Sequence, residues 1–185
     1  MSNILDLLLS DDNKPAISEM QKTFDLNETQ TRAAVKELIP ALSRGLQKNS
    51  QESGGMDALL EALRTGEHAK YMEQPESLGT PDTTRDGNDI LGHIFGDKKV
   101  SREVASRASK KAGISSSILK KMLPVVATLV MGAMSKKVIG TGGGRSSGRT
   151  VQAGTGGLLT SLLDSDRDGS IWDDVLGLAA RTMLR

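Results

Sequence analysis

The sequence predicts an all-α, multihelical fold in which a small helical unit occurs twice. Three observations predict it. Apolar residues recur at three-four spacing in segment after segment, and no stretch alternates convincingly with period two. Aromatic residues make up only 2% of the 185 residues, so the core must come from Leu, Ile, Val, Ala and Met, which suits helix packing better than a β-sandwich. Three short stretches of the first half return in the same order in the second.

The first element, "MSNILDLLLS", offers Ile4, Leu5, Leu8 and Leu9 to one helical face. It lacks the basic flank and cleavage pattern of a signal peptide, so it reads as mature protein. "LNETQTRAAVKELIPALSRGLQ" places Ala34, Val35, Leu38, Ile39 and Leu42 on one helix face, with Asn27 to Gln30 as a capping box. "GGMDALLEAL", Gly54 to Leu63, completes a helical first half, residues 1–72. The next stretch, "EQPESLGTPDTTRDGN" at 73–88, holds two of the five prolines and no apolar periodicity, and reads as a linker or long surface loop.

The second half, 89–185, begins with "DILGHIFGD" and "VASRASKKAGISSSILKKML". "MLPVVATLVMGAM", Met122 to Met134, is the most apolar stretch, but it is shorter than the roughly 20 residues a membrane span requires. Lys120, Lys121, Lys136 and Lys137 bracket it, so it reads as a buried core helix and not a membrane span. "GTGGGRSSGRTVQAGTGG", 140–157, is too glycine-rich to offset its ordering entropy and reads as a flexible loop. Within it "GGRSSGRT" has phosphate-loop spacing, yet Arg149 stands where that motif requires Lys and no strand precedes it, so filler is the better reading.

The repeats support a tandem duplication. "NILDLLLSD" resembles "DILGHIFGD", "RAAVKELIPAL" resembles "SSILKKMLPVV", and "GGMDALLEAL" resembles "GGLLTSLLD" at Gly156 to Asp164; the offsets are 86, 84 and 102. The last offset grows if the glycine-rich loop is an insertion in the second copy. Each half alone has little core to spare, so the two are expected to pack together. Pro40 and Pro124 recur at the same place, where a proline removes a backbone donor and is expected to kink or restart the helix.

Composition narrows the function. With no cysteine there are no disulfides, thiolate zinc sites or cysteine nucleophiles, which agrees with a cytoplasmic location. A net charge of +1 gives no global signature of a nucleic-acid binder. Locally the picture differs, because "AGISSSILKKM" has helix-turn-helix spacing: Ala108 and Ala112 small, Gly113 at the turn, Ser115 as a cap, Leu119 and Met122 inward. Lys98, Lys99, Arg102, Arg107, Lys110, Lys111, Lys120 and Lys121 are opposed there only by Glu103. Arg107, Lys110, Lys111, Ser116, Ser117, Lys120 and Lys121 are therefore the candidate nucleic-acid contacts, with cations for phosphates and hydroxyls for base edges. Against them stands the apolar run that follows Pro124. His68 and His93 are isolated, and nothing pairs a nucleophile with a base, so no catalytic residues are expected.

The segment 164–174, within "DSDRDGSIWDD", is the remaining candidate. On a twelve-position calcium loop Asp164, Asp166 and Asp168 take positions one, three and five, Gly169 the sharp turn, and the Ser170 carbonyl position seven. The twelfth position is Val175, and Asp173 and Asp174 fall one or two residues early, so any calcium would be held weakly. A helix cap explains Asp168, Ser170, Asp173 and Asp174 with no metal, through orphan amides and the helix dipole, and is the better reading.

The combination of "ILDLLL", paired "LIP" and "MLP" helices, a glycine-rich break before "GGLLTSLLD", and the ending "DSDRDGSIWDDVLGL" resembles the YidB-like family of bacterial proteins, a domain of unknown function. The likeness is strongest from Asp89 to Leu178, with the acidic motif as its most specific element. It implies an all-α fold with a homeodomain-like helical arrangement in a cytosolic protein, and no activity. The leading expectation is a non-enzymatic interaction or scaffold module without cofactor, binding a protein partner or itself through Leu and Met faces. Two alternatives stand beside it: a nucleic-acid binder through residues 104–123, and a weak calcium binder at the acidic loop.

Overall fold

A computed structural model describes residues 4–142, with side chains to Lys137, and among them every regular element is helical. Eight α-helices follow one another: α1 Ile4–Leu8, α2 Lys14–Phe24, α3 Glu28–Gln51, α4 Gly55–Thr65, α5 Lys70–Glu73, α6 Pro81–Phe95, α7 Lys98–Ala112 and α8 Ser116–Gly142. Short 3₁₀ turns at Asp11–Asn13, Glu67–Ala69 and Pro75–Gly79 join some of them. The calcium-loop residues Asp164, Asp166, Asp168, Ser170, Asp173 and Asp174, and all but the start of the glycine-rich loop, lie outside the described residues.

α8 is the axis of the fold. Every residue from Met122 to Ser135 is buried, and each of the other seven helices packs against it. A helix apolar on all sides needs such a jacket. By length and composition Ser116–Lys137 matches a membrane span, but 78% of its apolar window is buried inside the fold, as expected of a core helix. Buried residues from Ile4 to Met134 form one core, to which both halves of the chain contribute. Across the α4–α8 contact, the Ser135 hydroxyl donates to the Leu63 carbonyl at 2.7 Å.

Two helix pairs are built alike. α2 ends at Asp25 in the left-handed region (φ 53°), and α3 opens after Asn27, whose side chain accepts from the Gln30 amide at 2.8 Å while Gln30 accepts from the Asn27 amide at 3.0 Å. This is the capping box the sequence predicts. α7 ends at Gly113, also left-handed (φ 67°), and α8 opens after Ser115, whose hydroxyl accepts from the Ser117 amide at 3.2 Å. Each pair thus turns through a left-handed residue, an apolar residue (Leu26 or Ile114) and a polar cap.

Two expectations are corrected. Pro40 and Pro124 do not restart their helices, which continue through both positions. The carbonyls they deprive of a donor, four residues earlier, belong to Lys36 and Lys120, exposed residues where water can replace the lost bond. The stretch 73–88 is not a loop throughout. Thr80 caps α6, Pro81 fills its first position, and Thr83, Gly87, Ile90, Leu91, Ile94 and Phe95 form its buried face. That face begins with a hydroxyl and a glycine, so no apolar period marks it. Gly87 is where α6 crosses α8: a Cβ there would overlap the backbone carbonyl of Pro124.

Candidate functional site

The basic residues of the second half gather on the surface of the α7–α8 pair. In α7, Val100, Val104, Ala105 and Ala108 are buried, and the opposite face presents Lys98, Lys99, Arg102, Lys110 and Lys111 to solvent. Asp97 caps the helix by accepting from the Lys99 amide at 2.8 Å. At the other end, Gly113 and a hydrogen bond from Ser109 Oγ to the Ile114 carbonyl (2.6 Å) fix the turn, with Ile114 buried. Leu119 and Met122 face inward, as their spacing predicts, while Ser117, Lys120 and Lys121 are exposed and Ser116 is half-buried. Lys110 and Lys111 complement the negative end of the α7 dipole, but Lys98 and Lys99 stand at its positive end, where a cation is unfavourable.

Two of the candidate nucleic-acid contacts are engaged with carboxylates. Arg107 Nε lies 2.9 Å from Glu103, and Lys111 Nζ 3.7 Å from Glu37 of α3. From Met122 to Ser135 the helix is buried in the core, so at this end only its first two turns face solvent. A recognition helix lying along a major groove would need more of its length exposed.

A second feature escaped sequence reasoning. A cleft of about 590 Å³ opens between α4 and α6, floored by Leu46, Leu59, Ile90, Ile94 and Met131. His68 and His93, 25 residues apart in the chain, both line it, with Asp86 and Asp89. The buried Tyr71 hydroxyl donates to the Asp86 carboxylate. Burial, reinforced by Asp86, pushes the Tyr71 phenol above its ordinary value, so it stays a donor. Burial also lowers the His68 imidazole, with Asp86 pulling the other way. Lys70 lies over the Tyr71 ring, 5.1 Å from its centroid, and 3.7 Å from Glu67. The Asn49 amide donates to the His93 carbonyl at 2.8 Å and ties α3 to this wall. Among the described residues, no three His, Asp or Glu side chains converge as a metal site would require. The signal for the cleft was the helical spacing of Asp86, Asp89, Ile90, His93 and Ile94, which runs across the end of the stretch read as a linker.

Residues 6–137 match the model of a family described as a bacterial protein of unknown function (DUF937). The match includes the whole described first half from Asp6 and stops before the acidic motif. No curated protein and no solved structure matches the chain.

Proposed function

The chain belongs to this bacterial DUF937 family, and from that premise we propose that it is a non-enzymatic helical interaction module that docks an acidic protein partner through the α7–α8 surface. A contrast of charge carries the reading. Residues 98–121 hold eight cations and one carboxylate, net +7, whereas residues 14–37, 84 positions earlier, hold four of each, net zero. Lys98, Lys99, Arg102, Lys110, Lys120 and Lys121 are exposed, and no carboxylate is ion-paired to them among the described residues. Such a concentration on a near-neutral chain steers association with a polyanion.

Nucleic acid is the second reading, favoured by Ser116 and Ser117 beside the same cations. With α8 buried from Met122, the contacts available are to phosphates, and binding would be strongly salt-dependent and insensitive to sequence. The test uses polyglutamate and duplex DNA at low salt, with Lys110→Glu/Lys120→Glu/Lys121→Glu as the variant. The first reading expects polyglutamate binding that the variant weakens at least tenfold, and the second expects the same of DNA. Binding of neither polyanion at low salt overturns both.

We propose further that the halves are a tandem duplication of a helix-turn-helix unit, supported by the matching turns at Asp25 and Gly113. From polar cap to proline the second copy is shorter by four residues, 115 to 124 against 27 to 40, close to one helical turn, which keeps the faces aligned. The acidic segment, outside the described residues, is read from its sequence as a helix cap or a weak calcium loop. Calcium binding predicts a Trp172 fluorescence change that Asp164→Ala or Asp168→Ala abolishes, and silence at millimolar calcium leaves the cap.

A further inference from the structure

We infer that the cleft between α4 and α6 binds a small amphipathic cation, an apolar chain ending in an ammonium group. Its volume of about 590 Å³ lies within the roughly 300–1,000 Å³ of small-molecule sites. The floor is the place where the core meets solvent. Leu59, Ile90 and Ile94 keep 8–9% exposure, while Leu38, Leu42, Leu119 and Met134 at the centre keep none. An apolar chain laid there removes surface from water that the fold itself leaves partly open.

The rim selects the charge of the head group. Glu67 and Lys70 are paired with each other, and Lys70 is drawn further over the Tyr71 ring. Asp86 and Asp89, one turn apart on α6, are left without a paired cation among the described residues. Asp86 is half-buried and already oriented by the Tyr71 hydroxyl, so its free lone pairs are fixed before a ligand arrives. Burial lowers the His68 imidazole, which disfavours a competing positive charge on this rim. Apolar floor and oriented carboxylate together fit an alkylammonium and reject an alkylcarboxylate.

The test is a titration of the full chain with n-octylammonium, n-octanol and octanoate, followed by calorimetry and by the ring-proton resonances of His68 and His93. One octylammonium is expected to bind per chain, at least tenfold more tightly than octanol, with octanoate weaker still. Asp86→Asn keeps an acceptor for Tyr71 and is expected to weaken octylammonium about tenfold while leaving octanol unchanged. If Asp86→Asn does not fold, as judged by circular dichroism, Asp89→Asn on the exposed rim is expected to weaken octylammonium severalfold. Ala58→Phe, at an exposed lining position, should obstruct the cleft and abolish binding of both. The inference is overturned if octanol or octanoate binds as tightly as octylammonium, if the carboxylate variants leave its affinity unchanged, or if Ala58→Phe does. The α7–α8 charge variant is expected to have no effect here, which separates this site from the docking surface.

Discussion

The α2–α3 and α7–α8 pairs share a turn and differ in almost everything the turn serves. α3 is amphipathic, with Ala34, Val35, Leu38 and Ile39 buried while Lys36 and Lys48 stay in solvent. α8 is buried on all sides from Met122 to Ser135. α2 and the start of α3 balance their charges, whereas α7 and the start of α8 carry a large excess of cations. One unit thus supplies a wall and the other supplies both the axis and the charged surface. The same local chemistry of left-handed residue, apolar residue and polar cap makes the turn in both pairs. Composition after the cap decides whether the second helix lies at the rim or in the middle.

The largest expected effect comes from the crossings that this difference creates. Gly45 on α3 and Gly87 on α6 both stand where a Cβ would collide, but with different neighbours. At Gly45 the obstacles are the Ile94 methyl and the Phe95 ring, and at Gly87 they are the Pro124 carbonyl and ring on the central helix. Side chains can rotate away and a helix backbone cannot. Gly87→Ala is therefore expected to destabilise by about 3 kcal/mol and Gly45→Ala by about 1 kcal/mol, read from urea midpoints. Equal losses would mean that α8 shifts as readily as a side chain does, and the picture of a fixed axis would fail.

The two prolines give the next contrast. Each removes one helical hydrogen bond, but Pro40 is half-buried on the outer wall, while Pro124 is buried beneath Gly87. Restoring the amide by Pro40→Ala is expected to stabilise the protein by about 2 kcal/mol, somewhat less than the full cost of an interior proline because the unfolded chain also gains freedom. At Pro124 the same change also removes the ring that Gly87 packs on, so a smaller gain or a loss is expected. A loss at Pro40 matching that at Pro124 would show that the outer proline, too, is held by packing.

These contrasts show what the sequence made legible. The capping box at Asn27, the turn at Gly113 and the burial of Met122 to Met134 all follow from strong local signals, namely side-chain acceptors, a glycine and an unbroken apolar run. The cations were equally plain, because charge is a property of composition. α6 was half hidden, since Thr83 and Gly87 serve a close crossing that needs small residues instead of apolar ones. The cleft showed in the sequence only through the spacing of its α6 wall, and for a different reason. Leu46, Leu59, His68, Asp86 and Met131 come from five separate elements, and only tertiary packing brings them together.

The smallest effect tests the shared turn itself. Asp25 and Gly113 hold the same left-handed place, where a side chain costs roughly 1 kcal/mol, and Asp as a residue type is among those that tolerate it best. Gly113→Ala is expected to destabilise by about 1 kcal/mol, and nothing stands within 4 Å of the added Cβ, so the cost measures backbone conformation alone. Asp25→Gly is expected to stabilise by about 0.5 kcal/mol, the strain relieved being partly offset by a more flexible unfolded chain. If the two turns are the same device, the shifts have opposite signs and the double variant is their sum, since each acts on its own turn. Should Asp25→Gly destabilise instead, the Asp25 side chain contributes something that Gly113 has no means to supply, and the likeness of the two turns would stop at their dihedral angles.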